Sequence, residues 1–206
     1  MIKAVIFDLD GTISDTLSTI AHYGNVSLKH IGLEEIDEVH YKYFAGDGKK
    51  VLLHRMLQHL GKDTDETFKK LEKKYDFEYE SDVIGKSKPF DGIEKLLSDL
   101  KKSGIKTAVL SNKPDNVTVL LCEKIFSGLL DICHGKMDNI PAKPDPMGVK
   151  IVLDELGVKN NEVIFCIGIF CTSKISVKPF SSIDFFEREL IVIPNFLSLY
   201  RFILSS

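Results

Sequence analysis

The sequence has no excess of positive charge: 27 lysines and arginines stand against 30 aspartates and glutamates, a net charge of -3. A nucleic-acid surface needs a basic stripe to meet phosphates, so the reading is of no nucleic-acid partner. The local clusters Lys69-Lys70 and Lys73-Lys74 are interleaved with Glu66, Glu72 and Asp76, as on a solvated helix face. Cysteine is scarce. Cys122, Cys133, Cys166 and Cys171 form no C-x-x-C pair and have no histidine at zinc-finger spacing, so they read as packed thiols in a reducing compartment. Long apolar runs are missing too. None approaches the roughly 18 residues of a membrane span, and the C-terminal apolar stretch is interrupted by Pro194, Asn195 and Arg201. The N-terminal run Ala4-Val5-Ile6-Phe7 meets acidic residues too soon for a secretory signal. No membrane association and a cytoplasmic location are therefore expected. No internal repeat or low-complexity segment occurs, and His22, His30, His40, His54 and His59 show no consistent metal spacing.

What remains is ordinary globular material. Hydrophobic residues make up 44% and charged residues 28% of 206, enough for one domain with an insertion or for two small domains. Strand-like runs near 3–8, 105–110, 130–133 and 162–167 alternate with helical stretches, the pattern of an α/β, Rossmann-like parallel sheet covered on both faces. An amphipathic helix with Ile93, Leu96, Leu97 and Leu100 on one face stops at Gly104, and another begins at Asp145-Pro146. Between residues 15 and 80 the strand signal gives way to helical stripes: Leu17, Ile20, Ala21 and Leu28; Val51, Leu52, Met56 and Leu60; Phe68, Leu71 and Tyr75. That segment reads as a helical cap inserted between core segments 1–14 and 81–168, with joints near 12–16 and 81–89.

The most informative feature is a pair of aspartates one residue apart. Asp8 and Asp10 end the first apolar run and lead directly into Gly11 and Thr12. Carboxylates this close repel unless a cation or a shared proton relieves them, and a divalent metal held by Asp8 and Asp10 is the expected relief. The pair suits phosphoryl transfer: one carboxylate attacks phosphorus while the other moves protons. Gly11 permits close backbone approach to phosphate oxygens, and Thr12 adds a hydroxyl donor. The alternative is a plain Asp-Gly turn with Asp8 capping the next helix. Ser111-Asn112-Lys113 follows the second strand, and Lys143-Pro144 precedes the helix before the fourth. Ligands of open parallel sheets bind beyond the carboxyl ends of the strands, so Ser111 should neighbour Asp8. Pro144 biases Lys143 away from helical geometry, which would help direct its ammonium toward the same edge.

Asp8-Leu9-Asp10-Gly11-Thr12, Ser111-Asn112-Lys113 and Ala142-Lys143-Pro144-Asp145-Pro146 resemble the first three motifs of the haloacid dehalogenase superfamily. Gly46-Asp47-Gly48 and Pro89-Phe90-Asp91-Gly92-Ile93 resemble its phosphoglycolate phosphatase branch. The resemblance covers residues 1–168. It implies Asp8 as nucleophile, Asp10 as general acid and base and carbonyl donor to Mg2+, and Ser111 and Lys143 as phosphate ligands with Gly11, Thr12 and Asn112 beside them. The implied function is a Mg2+-dependent phosphatase acting on a small phosphorylated metabolite, phosphoglycolate first, in a monomer or homodimer. A β-phosphoglucomutase-like phosphomutase is the related alternative. Lys49, just after Gly48, is expected to reach a substrate carboxylate when the cap closes.

The pattern then departs from the family. After 163–167 the chain reaches Gly168 on cue, but Ile169-Phe170-Cys171-Thr172-Ser173-Lys174 follows and no carboxylate occurs before Asp184. The acidic fourth motif is absent, and residues 169–206 read as a divergent tail of frameshift or equivalent origin. A catalytically impaired relative that still binds phosphate ligands is the expectation this raises.

Overall fold

Ala4-Val5-Ile6-Phe7 offers water no polar side chain on either face, and the strand it forms, β1 (Ala4–Phe7), is buried throughout. The computed structural model describes residues 1–167 and the backbone of Leu190–Val192. After β1 the chain passes through a short strand, β2 (Ser14–Asp15), into four helices: α1 (Leu17–His30), α2 (Glu38–Phe44), α3 (Lys49–His59) and α4 (Asp65–Ser81). It returns through β3 (Lys88–Pro89), which pairs antiparallel with β2, so both connections to the helical cap are stitched together. The core resumes with α5 (Ile93–Lys102), β4 (Lys106–Pro114), α6 (Asp115–Ile125), β5 (Ile132–Lys136), α7 (Met147–Leu156), β6 (Val163–Ile167) and β7 (Leu190–Val192).

The sheet order is β5-β4-β1-β6-β7, and every pairing in it is parallel. Alternation along β1 divides the core. Val5 and Phe7 face a layer holding Leu96, Leu97, Leu100, Val117 and Leu121 from α5 and α6. Ala4 and Ile6 face Val149, Val152, Leu153 and Leu156 of α7. The first layer continues into the cap through Leu28, Leu53, Met56 and Leu71. Cap and core therefore share apolar packing, and their polar faces meet above the carboxyl end of β1.

Several sequence expectations shift in detail. Ser111, Asn112 and Lys113 lie in the extended end of β4 instead of after the strand, with the register against β5 slipping between Leu110 and Pro114. Val51, placed on the buried stripe of α3, is 36% exposed; Leu53 and Leu57 are its buried partners instead. The helix at Asp145-Pro146 starts one residue later, with Pro146 as N-cap and Asp145 accepting a hydrogen bond from the Met147 amide. Within the segment read as a divergent tail, Leu190–Val192 adds a parallel strand to the sheet, as Phe165 pairs with Leu190 and Ile167 with Val192. The remainder of the divergent-tail expectation, including the missing fourth motif and Cys171, lies outside the described residues. Among the described residues, no helix is long and apolar enough to cross a membrane.

Candidate active site

The turn after β1 is built by its own backbone. Leu9 is fully buried, and its carbonyl accepts from the amides of Thr12, Ile13 and Ser14 at 3.1 to 3.2 Å. Gly11 adopts φ 71, a left-handed conformation natural to glycine, and its amide donates to the Ser14 carbonyl at 2.9 Å. The Gly11 amide, where close backbone approach to phosphate is expected, and the Thr12 amide are thus engaged in shaping the turn. Its product is two carboxylates projecting past the sheet edge, with the Asp8 amide anchored on the Cys166 carbonyl of β6.

Each carboxylate has its own lysine. Lys143 Nζ stands 2.7 Å from Asp8 Oδ1 and also donates to the Leu110 carbonyl at 2.6 Å. Lys113 Nζ stands 3.3 Å from Asp10 Oδ1, which also accepts from the Thr16 hydroxyl at 2.7 Å. All four charged side chains are largely covered, Lys113 most of all at 8% exposure. Burial pulls the Lys113 ammonium toward neutrality, but the adjacent Asp10 and then Tyr79 outweigh it and carry its pKa above the ordinary lysine value. Lys113 also donates to the Tyr79 hydroxyl at 3.0 Å, a bond from β4 to cap helix α4.

Asn112 acts as a clamp. Its side-chain carbonyl accepts from the Lys143 amide at 2.7 Å, and its amide group donates to the carbonyls of Lys143 and Gly46, each at 3.2 Å. The residue expected to touch phosphate instead fixes the Lys143 segment and the cap loop to β4. Ser111 is buried beside it and accepts from the Lys113 amide at 3.2 Å. The cap loop presses close here: Gly48 has φ 92 and ψ 167, and an added Cβ would lie 3.1 Å from the Asn112 carbonyl oxygen. Gly48→Ala should therefore destabilise the fold by about 1–3 kcal/mol through backbone strain, read as a lower urea midpoint with an unchanged denaturant slope. Lys49, expected to await substrate, is bound within the cap: its Nζ lies 2.7 and 2.8 Å from the two Asp76 oxygens and 3.6 Å from Glu72.

Cap and core enclose a cavity of about 250 Å³ lined by Asp8, Asp10, Ser111, Asn112 and Lys113 below and by Lys49, Tyr75, Asp76, Tyr79 and Glu80 above. Lys113, Tyr79 and Asp76 had no assigned role in the sequence. The signal available for Tyr79 was its place one helical turn beyond Tyr75 on the apolar stripe of α4.

This geometry has close parallels. The family model for haloacid dehalogenase-like hydrolases matches residues 5–168. A phosphoglycolate phosphatase from Aquifex aeolicus is 32% identical over 157 residues, covering 75% of this chain and 70% of the relative. One from Yersinia pestis is 28% identical over 166 residues, covering 80% and 72%. A crystal structure from Lactobacillus delbrueckii subsp. bulgaricus superposes with a TM-score of 0.84 at 23% identity over 99% of both chains, a likeness of fold. With the motif carboxylates, their two lysines and the capped parallel sheet in place, the chain belongs to the haloacid dehalogenase-like hydrolase family, among its phosphoric monoester hydrolases.

Proposed function

We propose that the protein is a Mg2+-dependent phosphatase that hydrolyses a small phosphomonoester through an aspartyl-phosphate on Asp8. The observation that carries this reading is the Lys143–Asp8 contact of 2.7 Å beneath a cavity whose floor also holds Asp10. An ammonium in that position lies against the Asp8 carboxylate and stabilises negative charge on an arriving phosphoryl group. Asp10 has Oδ1 fixed by Thr16 and Lys113, which leaves Oδ2 to carry the proton.

Among the described residues, no group of three or more His, Cys, Asp or Glu side chains gathers as a metal site. The Asp8 carboxylate and Asp10 carbonyl are nevertheless hard oxygen donors. Mg2+ is commonly held by one or two carboxylates with water and substrate phosphate completing the shell, so the donors fit an ion that arrives with phosphate. When bound there, it would act as a Lewis acid that offsets phosphoryl charge. Asp8 attacks phosphorus, the bond to the ester oxygen breaks, and Asp10 protonates the departing oxygen. Water then attacks the aspartyl-phosphate, Asp10 accepts its proton, and release of phosphate restores Asp8.

Several relatives are named phosphoglycolate phosphatase, so phosphoglycolate is the ester against which other substrates are compared. Phosphate release from p-nitrophenyl phosphate by the purified protein with Mg2+ tests the reading; rates matching those of Asp8→Asn would sink it. The lack of any acidic residue from Gly168 to Ile183 favours, as second reading, a phosphate-binding relative without turnover, and that same parity would support it.

Lys113 acts through Asp10 in this scheme. Lys113→Met should slow hydrolysis of alkyl phosphates by about a hundredfold, the lower end of what general acid-base catalysis supplies. p-Nitrophenyl phosphate, whose leaving group needs little protonation, should lose much less. Equal losses on both substrates would assign Lys113 to phosphate binding or to the fold.

A further inference from the structure

We infer that the cap wall of the cavity selects phosphate esters of uncharged, hydroxyl-rich alcohols, of the sugar or polyol class, and rejects esters carrying a carboxylate. This rests on the phosphatase reading of the same cavity and names its substrate class. The wall is formed by Lys49, Tyr75, Asp76 and Glu80. Lys49 is the cation positioned to greet a second anionic group. Its ammonium is already gripped by both oxygens of Asp76, at 2.7 and 2.8 Å, with Glu72 3.6 Å away. Glu80 adds another carboxylate at the exposed rim and pairs with no cation among the described residues. The wall is therefore acidic where a carboxylate on the leaving group would land.

A second, independent observation concerns Tyr75. Its side chain is only 5% exposed and lines the cavity, and its hydroxyl bonds to no described residue. Burial, reinforced by neighbouring Tyr79, Asp10 and others, keeps that phenol protonated, hence a donor as well as an acceptor. The carboxylate oxygens of Asp76 and Glu80 accept hydrogen bonds, so they call for donors from the ligand. Ligand hydroxyls can donate to the carboxylates and accept from Tyr75. A ligand carboxylate supplies no donor and meets like charge. The volume of about 250 Å³ lies below the range of drug-sized sites, which suits a pentose-sized ester better than a nucleotide.

Calorimetry on Asp8→Asn protein in Mg2+ buffer tests the subsite without turnover, using D-ribose 5-phosphate, 2-phosphoglycolate and inorganic phosphate. The expected result is ribose 5-phosphate binding at least tenfold tighter than phosphoglycolate, with phosphoglycolate no tighter than inorganic phosphate. Adding Asp76→Asn frees Lys49 and should raise phosphoglycolate affinity about tenfold while weakening the sugar phosphate. Adding Tyr75→Phe, which keeps the ring and its packing, should weaken the sugar phosphate alone. Phosphoglycolate binding as tightly as ribose 5-phosphate, or three equal affinities, would overturn the inference. A sugar preference here alongside no turnover by the protein with Asp8 intact would leave the subsite standing and remove the phosphatase reading.

Discussion

Replacing Asp8 with asparagine should lower phosphatase turnover by about a thousandfold or more. Asparagine keeps an oxygen for the Lys143 ammonium, now 2.7 Å from Asp8 Oδ1, so the fold and the contact are expected to survive. What goes is the carboxylate oxygen that bonds to phosphorus in the proposed mechanism; a neutral amide cannot form the aspartyl-phosphate. The loss should fall on kcat, because the substitution leaves the Lys143 ammonium and the residues lining the cavity in place to receive phosphate. Thermal melting with beryllium fluoride and Mg2+ gives a second readout: the phosphoryl mimic should raise the midpoint of the native protein and leave Asp8→Asn unmoved. Residual turnover within tenfold of the native protein would mean that water, and not Asp8, attacks phosphorus.

Lys143→Met carries the next largest expected effect. Methionine approximates the aliphatic stem but deletes the charge that balances Asp8 as a phosphate dianion approaches. Losing one preorganised donor to developing charge typically costs about 100- to 1000-fold in kcat. Lys143→Arg should recover only part of this. The lysine serves two oxygens as a point charge, on Asp8 and on the Leu110 carbonyl, whereas guanidinium is a planar fork of greater width. Steady-state kinetics on p-nitrophenyl phosphate would decide the matter; a Lys143→Met enzyme with native kcat would place the phosphoryl group elsewhere.

The grouping of candidate site residues at one sheet edge was legible because it is local. Asp8 and Asp10 sit on one short segment whose apolar run declares a buried strand, and the strand rhythm alone brings Ser111 and Lys143 to the same edge. The roles of Asn112 and Lys113 were not legible, because their partners come from distant segments. Asn112 meets Gly46 and Lys143, while Lys113 meets Asp10 and Tyr79. No periodicity encodes which polar groups face one another across a cap and a core. Lys49 illustrates the same limit: its closest anion, Asp76, lies 27 positions away on another helix of the cap. α2, only 7 residues long, carries too little pattern to declare itself. β7 depends on pairing with β6, a contact that short apolar runs do not specify by themselves.

Two neighbours on one strand hold the lid down: Asn112 through the Gly46 carbonyl and Lys113 through the Tyr79 hydroxyl. Lifting it would strip both at once, loosening the segment that presents Lys143 and removing one of the contacts that hold the Lys113 ammonium beside Asp10. Reactivity would then fade whenever bulk solvent gains entry.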